Sequence, residues 1–177
     1  MTDGRRPGAG QIVVGIDGSS AAFEALTWAY RQAVRTGEGL HLVTTYELDS
    51  SHSPYSPSYA YAPDGRTAAH LTEAESQWRE ERHLAAQERA ERMVRDVLTA
   101  VRAAEEGDPD VTQEVVAGAR PAEILVERSQ HASLLVVGSR GRGGFRGLLL
   151  GSVSQQCVHH AGCPVVVVRA GSGDRPG

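Results

Sequence analysis

Between Gly138 and Gly151 the chain reads Gly-Ser-Arg-Gly-Arg-Gly-Gly-Phe-Arg-Gly-Leu-Leu-Leu-Gly, with six glycines and three arginines in fourteen residues. Leu134-Leu-Val-Val137 precedes it and reads as a buried strand. Ser152-Val153 follows and opens a helix that runs toward Gly162, glycine being the usual residue just past a helix end. A strand, a glycine-rich turn and a helix start together gather backbone amides around an anion. Glycine permits close approach and positive φ, and the helix N-terminus adds partial positive charge. The residues alone therefore point to a phosphate-binding turn.

Outward from that turn, strands and helices alternate. Gln11–Ile16 is an apolar, β-branched strand that ends at Asp17-Gly-Ser-Ser20, where serines suit a helix cap. The helix after it carries Phe23, Leu26, Tyr30, Ala33 and Val34 at spacings of three and four, and Gly37 stops it. Leu40–Tyr46 is a second strand. A long charged helix from about Thr67 to Ala104 buries Ala86, Ala90, Met93, Val97 and Val101. Its mixed charges read as a solvated face, and its first half, with Leu71 and Trp78, projects beyond the sheet.

Val111–Ala117 alternates enough for a strand near a sheet edge. Pro121 sits in the first turn of the next helix, as proline prefers. Val165–Arg169 is the last strand. This order predicts one α/β domain over residues 11–170, a single open five-stranded, mainly parallel sheet with helices on both faces, Rossmann-like. Its ligands belong at the carboxyl ends of the strands, where strand order reverses. Asp17 ends the first strand and Gly138 the fourth, so both polar ends meet over one crevice. Residues 1–10 and 171–177 read as loose tails. The Tyr/Ser/Pro-rich insertion 49–66 is either a cover for a ligand or partner, or a loop whose tyrosines touch little.

Composition narrows the chemistry. The chain has 177 residues, 40% hydrophobic and 23% charged, with net charge −4. It carries no basic block for nucleic acid and no apolar run of membrane length, so the expectation is a cytoplasmic protein that binds neither. All eighteen basic residues are arginine. That excludes a Walker loop and a Schiff-base lysine, and leaves backbone amides, arginine or a metal to neutralise phosphate. Cys157 and Cys163 form no Cys-x-x-Cys pair and read as structural thiols. The seven histidines show no metal-ligand spacing, and no Gly-x-Ser-x-Gly elbow is present.

The spacing of the glycines is more specific than their number. The dinucleotide fingerprint fails because Arg146 stands where its third glycine belongs. Gly138-x2-Gly141-x9-Gly151-Ser152 instead resembles the signature of the ATP-binding branch of the universal stress proteins. The resemblance spans Ile12 to Arg169, and it includes Asp17 and the valine strand after Cys163-Pro164. It implies an adenine nucleotide alpha hydrolase-like fold and ATP held by the amides of Gly138, Gly141, Gly151 and Ser152, with Val153 in the same helix start. Asp17 and the backbone at Thr45 would face the adenosine, and Val137 would line the base or ribose. Asp17 would also lie near a phosphate-bound magnesium ion.

Arg140, Arg142 and Arg146 either bond the γ-phosphate or simply solubilise the loop. For Asp17 the alternative is a helix cap. Similar proteins form homodimers through their last strand, here Val165–Arg169, although a neighbouring element covering that edge is the other possibility. The implied function is a dimeric, nucleotide-dependent stress-response module. The alternatives are a slow ATP hydrolase or phosphoryl or adenylyl transferase using Asp17 and magnesium, and a stress protein that binds another nucleotide, such as a cyclic one.

Overall fold

The computed structural model describes residues 10–47, 66–143 and 149–171, without the side chains of residues 66–72 and 74. The two tails and the 49–66 insertion fall almost wholly outside these residues, as does Arg146. In chain order the elements are β1 (Gln11–Gly15), α1 (Ser20–Thr36), β2 (Gly39–Tyr46), α2 (Arg66–Ala104), β3 (Val111–Ala117), α3 (Pro121–Ser129), β4 (Leu134–Gly138), α4 (Ser152–His160) and β5 (Val165–Val168). The expected boundaries hold to within a residue or two.

The five strands form one sheet in the order β3-β2-β1-β4-β5, with every neighbouring pair parallel. Strand order reverses between β1 and β4, which lie side by side with Val13 opposite Leu135. β3 is an edge strand, as its alternation predicts, and β5 forms the other edge.

Period-2 alternation sends each strand's side chains to two cores. Ile12, Val14, Leu40, Leu42 and Val136 join Leu26, Ala29 and Tyr30 of α1 and Val94, Leu98 and Val101 of α2. Val13, Val43, Leu135 and Val137 join Leu125 of α3 and Cys157 of α4 on the opposite face. Removing each such Val, Leu or Ile from water contributes about 1.5–3 kcal/mol before conformational entropy is subtracted. Burial also pushes the Cys157 thiol up to about 11, in keeping with a structural role.

Two stripe assignments need correction. On α2 the buried line is Ala86, Ala90, Val94, Leu98 and Val101, whereas Met93 and Val97 lie at its margin, partly buried. The sequence offers apolar residues on both sides of the stripe, and only the angle of the helix on the sheet selects between them. On α1, Val34 is 42% exposed, and the seat beside it is filled by Ala33. Among the side chains described on α2, Ala86 is the first that is buried, while Glu75, Trp78 and His83 before it are half-buried and His83 meets the Tyr46 hydroxyl at the end of β2 at 3.1 Å.

Caps follow local chemistry. The Ser19 hydroxyl accepts the Ala22 amide at 3.2 Å and starts α1. Gly37 ends it in the left-handed region (φ 75°), with its amide bonded to the Ala33 carbonyl. Pro121 opens α3 as expected.

One polar cluster lies between α3 and the β2–β3 side of the sheet. His41, fully buried, meets Thr112 Oγ1 at 2.9 Å through Nδ1 and Glu114 Oε2 at 3.0 Å through Nε2. Arg128 of α3 donates to both Glu114 oxygens at 2.8 Å in a forked pair. The Arg128 guanidinium, with His41 in support, holds the Glu114 carboxyl below its usual range despite its partial burial.

Candidate functional site

The carboxyl ends of β1 and β4 meet where strand order reverses, the position at which open parallel sheets bind ligands. From β1 the chain turns through Asp17 and Gly18 into α1. The Ile16 amide bonds the Val43 carbonyl at 2.8 Å, and the Thr44 hydroxyl donates to the Ile16 carbonyl. Thr45 thus lies at the carboxyl end of β2, immediately beyond the residue that holds Ile16. Gly18 takes φ 78°, in the left-handed region that favours glycine, and a Cβ there would also press on Met93 Sδ at 2.6 Å.

Asp17 links two distant segments. Its Oδ1 accepts the Ser19 amide at 2.9 Å, and its Oδ2 accepts the Arg142 amide at 3.3 Å across 125 residues of chain. The carboxylate and the glycine segment are therefore brought together as expected. A Cβ on Gly141 would come within 2.5 Å of Asp17 Oδ2. Gly141 is thus needed to admit the chain's own carboxylate. The cap expected of a serine is supplied by Ser19, and Asp17 reinforces it.

The glycine segment closes into a loop at a fixed neck. Ser139, 2% exposed, gives its amide to Val168 of β5, and its carbonyl accepts the Gly151 amide at 2.7 Å and the Ser154 hydroxyl at 3.0 Å. Ser154, equally buried, also reaches the Gly151 carbonyl at 3.0 Å. The family resemblance implies a phosphate contact for the Gly151 amide; in this structure that amide donates to the Ser139 carbonyl and closes the neck. Gly138 likewise serves packing, since a Cβ there would stand 2.8–2.9 Å from Ala21 and Ala22. Gly151 has ordinary room, its nearest neighbour being the Arg140 Cα at 3.5 Å.

The helix start itself fits the anion reading. Gly151 is the N-cap of α4 without a side-chain capping bond, and the first intrahelical bond runs from the Gln155 amide to the Gly151 carbonyl. The amides of Ser152, Val153 and Ser154 therefore have no acceptor within the helix, and Ser152 is exposed.

Val137, expected beside a base or ribose, is 3% exposed within the core under α3 and α4. Val153 is half-buried against the same core. Arg140 is exposed, with its carbonyl accepting the Ser19 hydroxyl at 3.4 Å. Arg142 folds back so that Nη2 lies 3.8 Å from Met93 Sδ. Sequence reading missed Ser139 and Ser154; a serine just inside the start of the glycine segment and another just past its end were the available signal.

The carboxylate that Asp17 brings to this crevice is the one magnesium would meet there, and the described residues hold no group of three or more His, Cys, Asp or Glu positioned for a metal. That set fits an ion carried mainly by phosphate and water, with Asp17 as the protein's ligand. A shallow groove of about 330 Å³ between Val34, Glu38 and Asp110 lies at the opposite end of the sheet, away from these groups. Among the described residues no helix is long and apolar enough to cross a membrane.

The fold is thus a parallel α/β sheet whose switch point carries a glycine-rich segment and a helix start with amides unpaired within the helix. Residues 9–169 match the universal stress protein family, and the chain belongs to it. It is 35% identical over 159 residues to a universal stress protein of Mycolicibacterium smegmatis, covering 89% of this chain and 45% of that protein. It is 34% identical over 165 residues to the universal stress protein Rv1996 of Mycobacterium tuberculosis, covering 93% and 45%. The chain thus spans about half the length of the curated relatives it matches.

Solved structures share the fold. UspA from Lactobacillus plantarum superposes with a TM-score of 0.57 at 23% identity, over 92% of this chain and 99% of that one. A universal stress protein solved in complex with cAMP superposes with a TM-score of 0.59 at 24% identity, over 93% and 100%.

Proposed function

We propose that this chain binds ATP at the β1–β4 crevice and acts as a dimeric, nucleotide-dependent module of the stress response. The observation that carries the reading is the trio of amides at Ser152, Val153 and Ser154, unpaired within α4 and next to a glycine loop at the strand-order switch. These amides and the Ser152 hydroxyl hold phosphate oxygens, and the N-terminal dipole of α4 favours their charge. Gly138, Gly141 and Gly151 shape the loop that positions them. Asp17 and the main chain at Thr45 face the adenosine, and Arg140 supplies mobile positive charge to the outer phosphate. Magnesium, when bound, neutralises phosphate charge, and Asp17 is the carboxylate available to it.

The valines of β5 lie half-buried at a sheet edge, a surface suited to pairing with the same strand of a second copy. A second reading, a cyclic nucleotide as ligand, draws support from the similar universal stress protein solved with cAMP.

The test is to denature the purified protein, identify any released nucleotide by mass spectrometry, and titrate ATP and cAMP calorimetrically. ATP binding that is lost in Gly151→Glu supports the reading, because position 151 has room for a side chain whose carboxylate repels phosphate. Unchanged affinity in that variant overturns the placement, and a preference for cAMP favours the second reading.

A further inference from the structure

Residues 140–143 form a strap between the fixed neck and the turn after β1. The neck does not depend on Asp17, because Ser139, Gly151 and Ser154 bond one another. Asp17 does not depend on the strap, because its Oδ1 is held at 2.9 Å by the Ser19 amide at the head of α1. Among the described residues, what holds the strap down is a set of longer contacts. They are the Arg142 amide to Asp17 Oδ2 at 3.3 Å, the Ser19 hydroxyl to the Arg140 carbonyl at 3.4 Å, and Arg142 Nη2 to Met93 Sδ at 3.8 Å. Residues 140–143 are all exposed. Only the first of these contacts has a carboxylate as acceptor, a stronger acceptor than a carbonyl oxygen or a thioether sulfur.

We propose that Asp17 is a latch: its carboxylate occupies the Arg142 amide as an internal anion, and a phosphate-bearing ligand opens the strap by taking that amide over. The latch stands on this geometry, while the identity of what opens it rests on the phosphate-binding reading above. A carboxylate and a phosphate cannot share one amide donor at close range without mutual repulsion. The closed strap therefore competes with the ligand. Gly141 is part of the device, because a Cβ at that position would come within 2.5 Å of Oδ2 and expel the carboxylate. Asp17 is in this sense a positioning residue for the strap.

The first experiment uses the protein without nucleotide. Brief trypsin treatment cuts after Arg140 and Arg142, and mass spectrometry quantifies each cut. Asp17→Asn keeps the side-chain shape with a weaker acceptor, and Gly141→Ala displaces the carboxylate. Both are expected to cut about 2- to 10-fold faster than wild type, the population change that one hydrogen bond of ordinary net strength controls, with the melting temperature nearly unchanged. A Ser154→Ala variant, altered at the neck alone, is expected to retain the slow cut after Arg142. Wild-type cutting rates in both Asp17→Asn and Gly141→Ala would overturn the latch.

The second experiment titrates metal-free tripolyphosphate, which has no adenosine for Asp17 to face, and ATP beside it. Competition predicts severalfold tighter binding of tripolyphosphate to Asp17→Asn than to wild type, whereas equal or weaker binding of it overturns the competition. Should neither protein bind ATP, the phosphate trigger and the function proposed above both fall. The tryptic rates still decide whether the latch exists.

Discussion

Gly138 packs directly on Ala21: a Cβ at Gly138 would stand 2.8 Å from the Ala21 carbonyl carbon and 2.9 Å from its Cβ. The end of β4 and the first turn of α1 are thus in contact without an intervening side chain. A signature glycine that reads as ligand-facing is here required by the fold.

Gly138→Ala should therefore destabilise the protein by about 1–3 kcal/mol, the usual range for overpacking against backbone that has little freedom to move. Gly151→Ala, with 3.5 Å of clearance at an extended φ of −77°, should change stability by no more than about 1 kcal/mol, largely through cap preference. Urea denaturation of both variants checks the contrast. Equal losses would mean that the Gly138 contact is soft.

The forked pair between Arg128 and Glu114 makes a pH-dependent contribution. The folded-state carboxyl of Glu114 titrates below its unfolded value, through the Arg128 hydrogen bonds first. Its contribution is fully present above the unfolded glutamate value of about 4.3 and is lost as pH falls through the lower folded value. Glu114→Gln should lower stability at pH 7 by about 2–3 kcal/mol, and the deficit should shrink as the pH is taken down through that window. Denaturation midpoints at several pH values check this. A deficit independent of pH would assign the loss to packing.

The two cysteines should differ in reactivity. Cys157 is fully buried with its thiol pushed up to about 11, so only about one molecule in a thousand is thiolate at pH 8. Cys163 is half-buried at the entrance to β5. A thiol reagent at pH 8 should label Cys163 first and Cys157 only on unfolding, as peptide mapping of the modified protein would reveal. Early labelling of Cys157 would indicate local opening of α4.

The open edge of β5 can be blocked without disturbing the sheet. The Leu135 amide bonds the Pro164 carbonyl and the Ser139 amide bonds the Val168 carbonyl, so alternate residues face β4 and the Val167 amide points to the edge. Val167→Pro removes that outward donor and leaves the bonds to β4 in place, at the cost of some packing of the Val167 side chain on the core, a substitution that edge strands tolerate. If copies pair through this strand, the wild type should sediment as a dimer and Val167→Pro as a folded monomer. A folded dimer in the variant would move the interface elsewhere.

Much of the framework was legible locally. Ser19 as cap, Gly37 as stop and Pro121 at a helix start follow from single-residue chemistry, and β-branched runs marked the strands. Distinctions between adjacent apolar residues were not legible. Met93 and Val94 are both apolar, and the helix rotation that buries Val94 depends on where the sheet lies. The glycine spacing located the loop correctly but did not reveal what each glycine accommodates.

The sequence by itself determined the order of strands and helices and the family, because hydrophobic period, turn residues and glycine spacing are local properties. It also brought Asp17 and the glycine segment to the same end of the sheet, since strands that all run parallel share their carboxyl ends. Only the tertiary structure decided that Gly138 yields to Ala21, that Gly141 admits the Asp17 carboxylate, and that Ser139, Gly151 and Ser154 close the neck. Those are contacts between segments distant along the chain, set by how closely helices pack on a twisted sheet, and no local pattern encodes that distance.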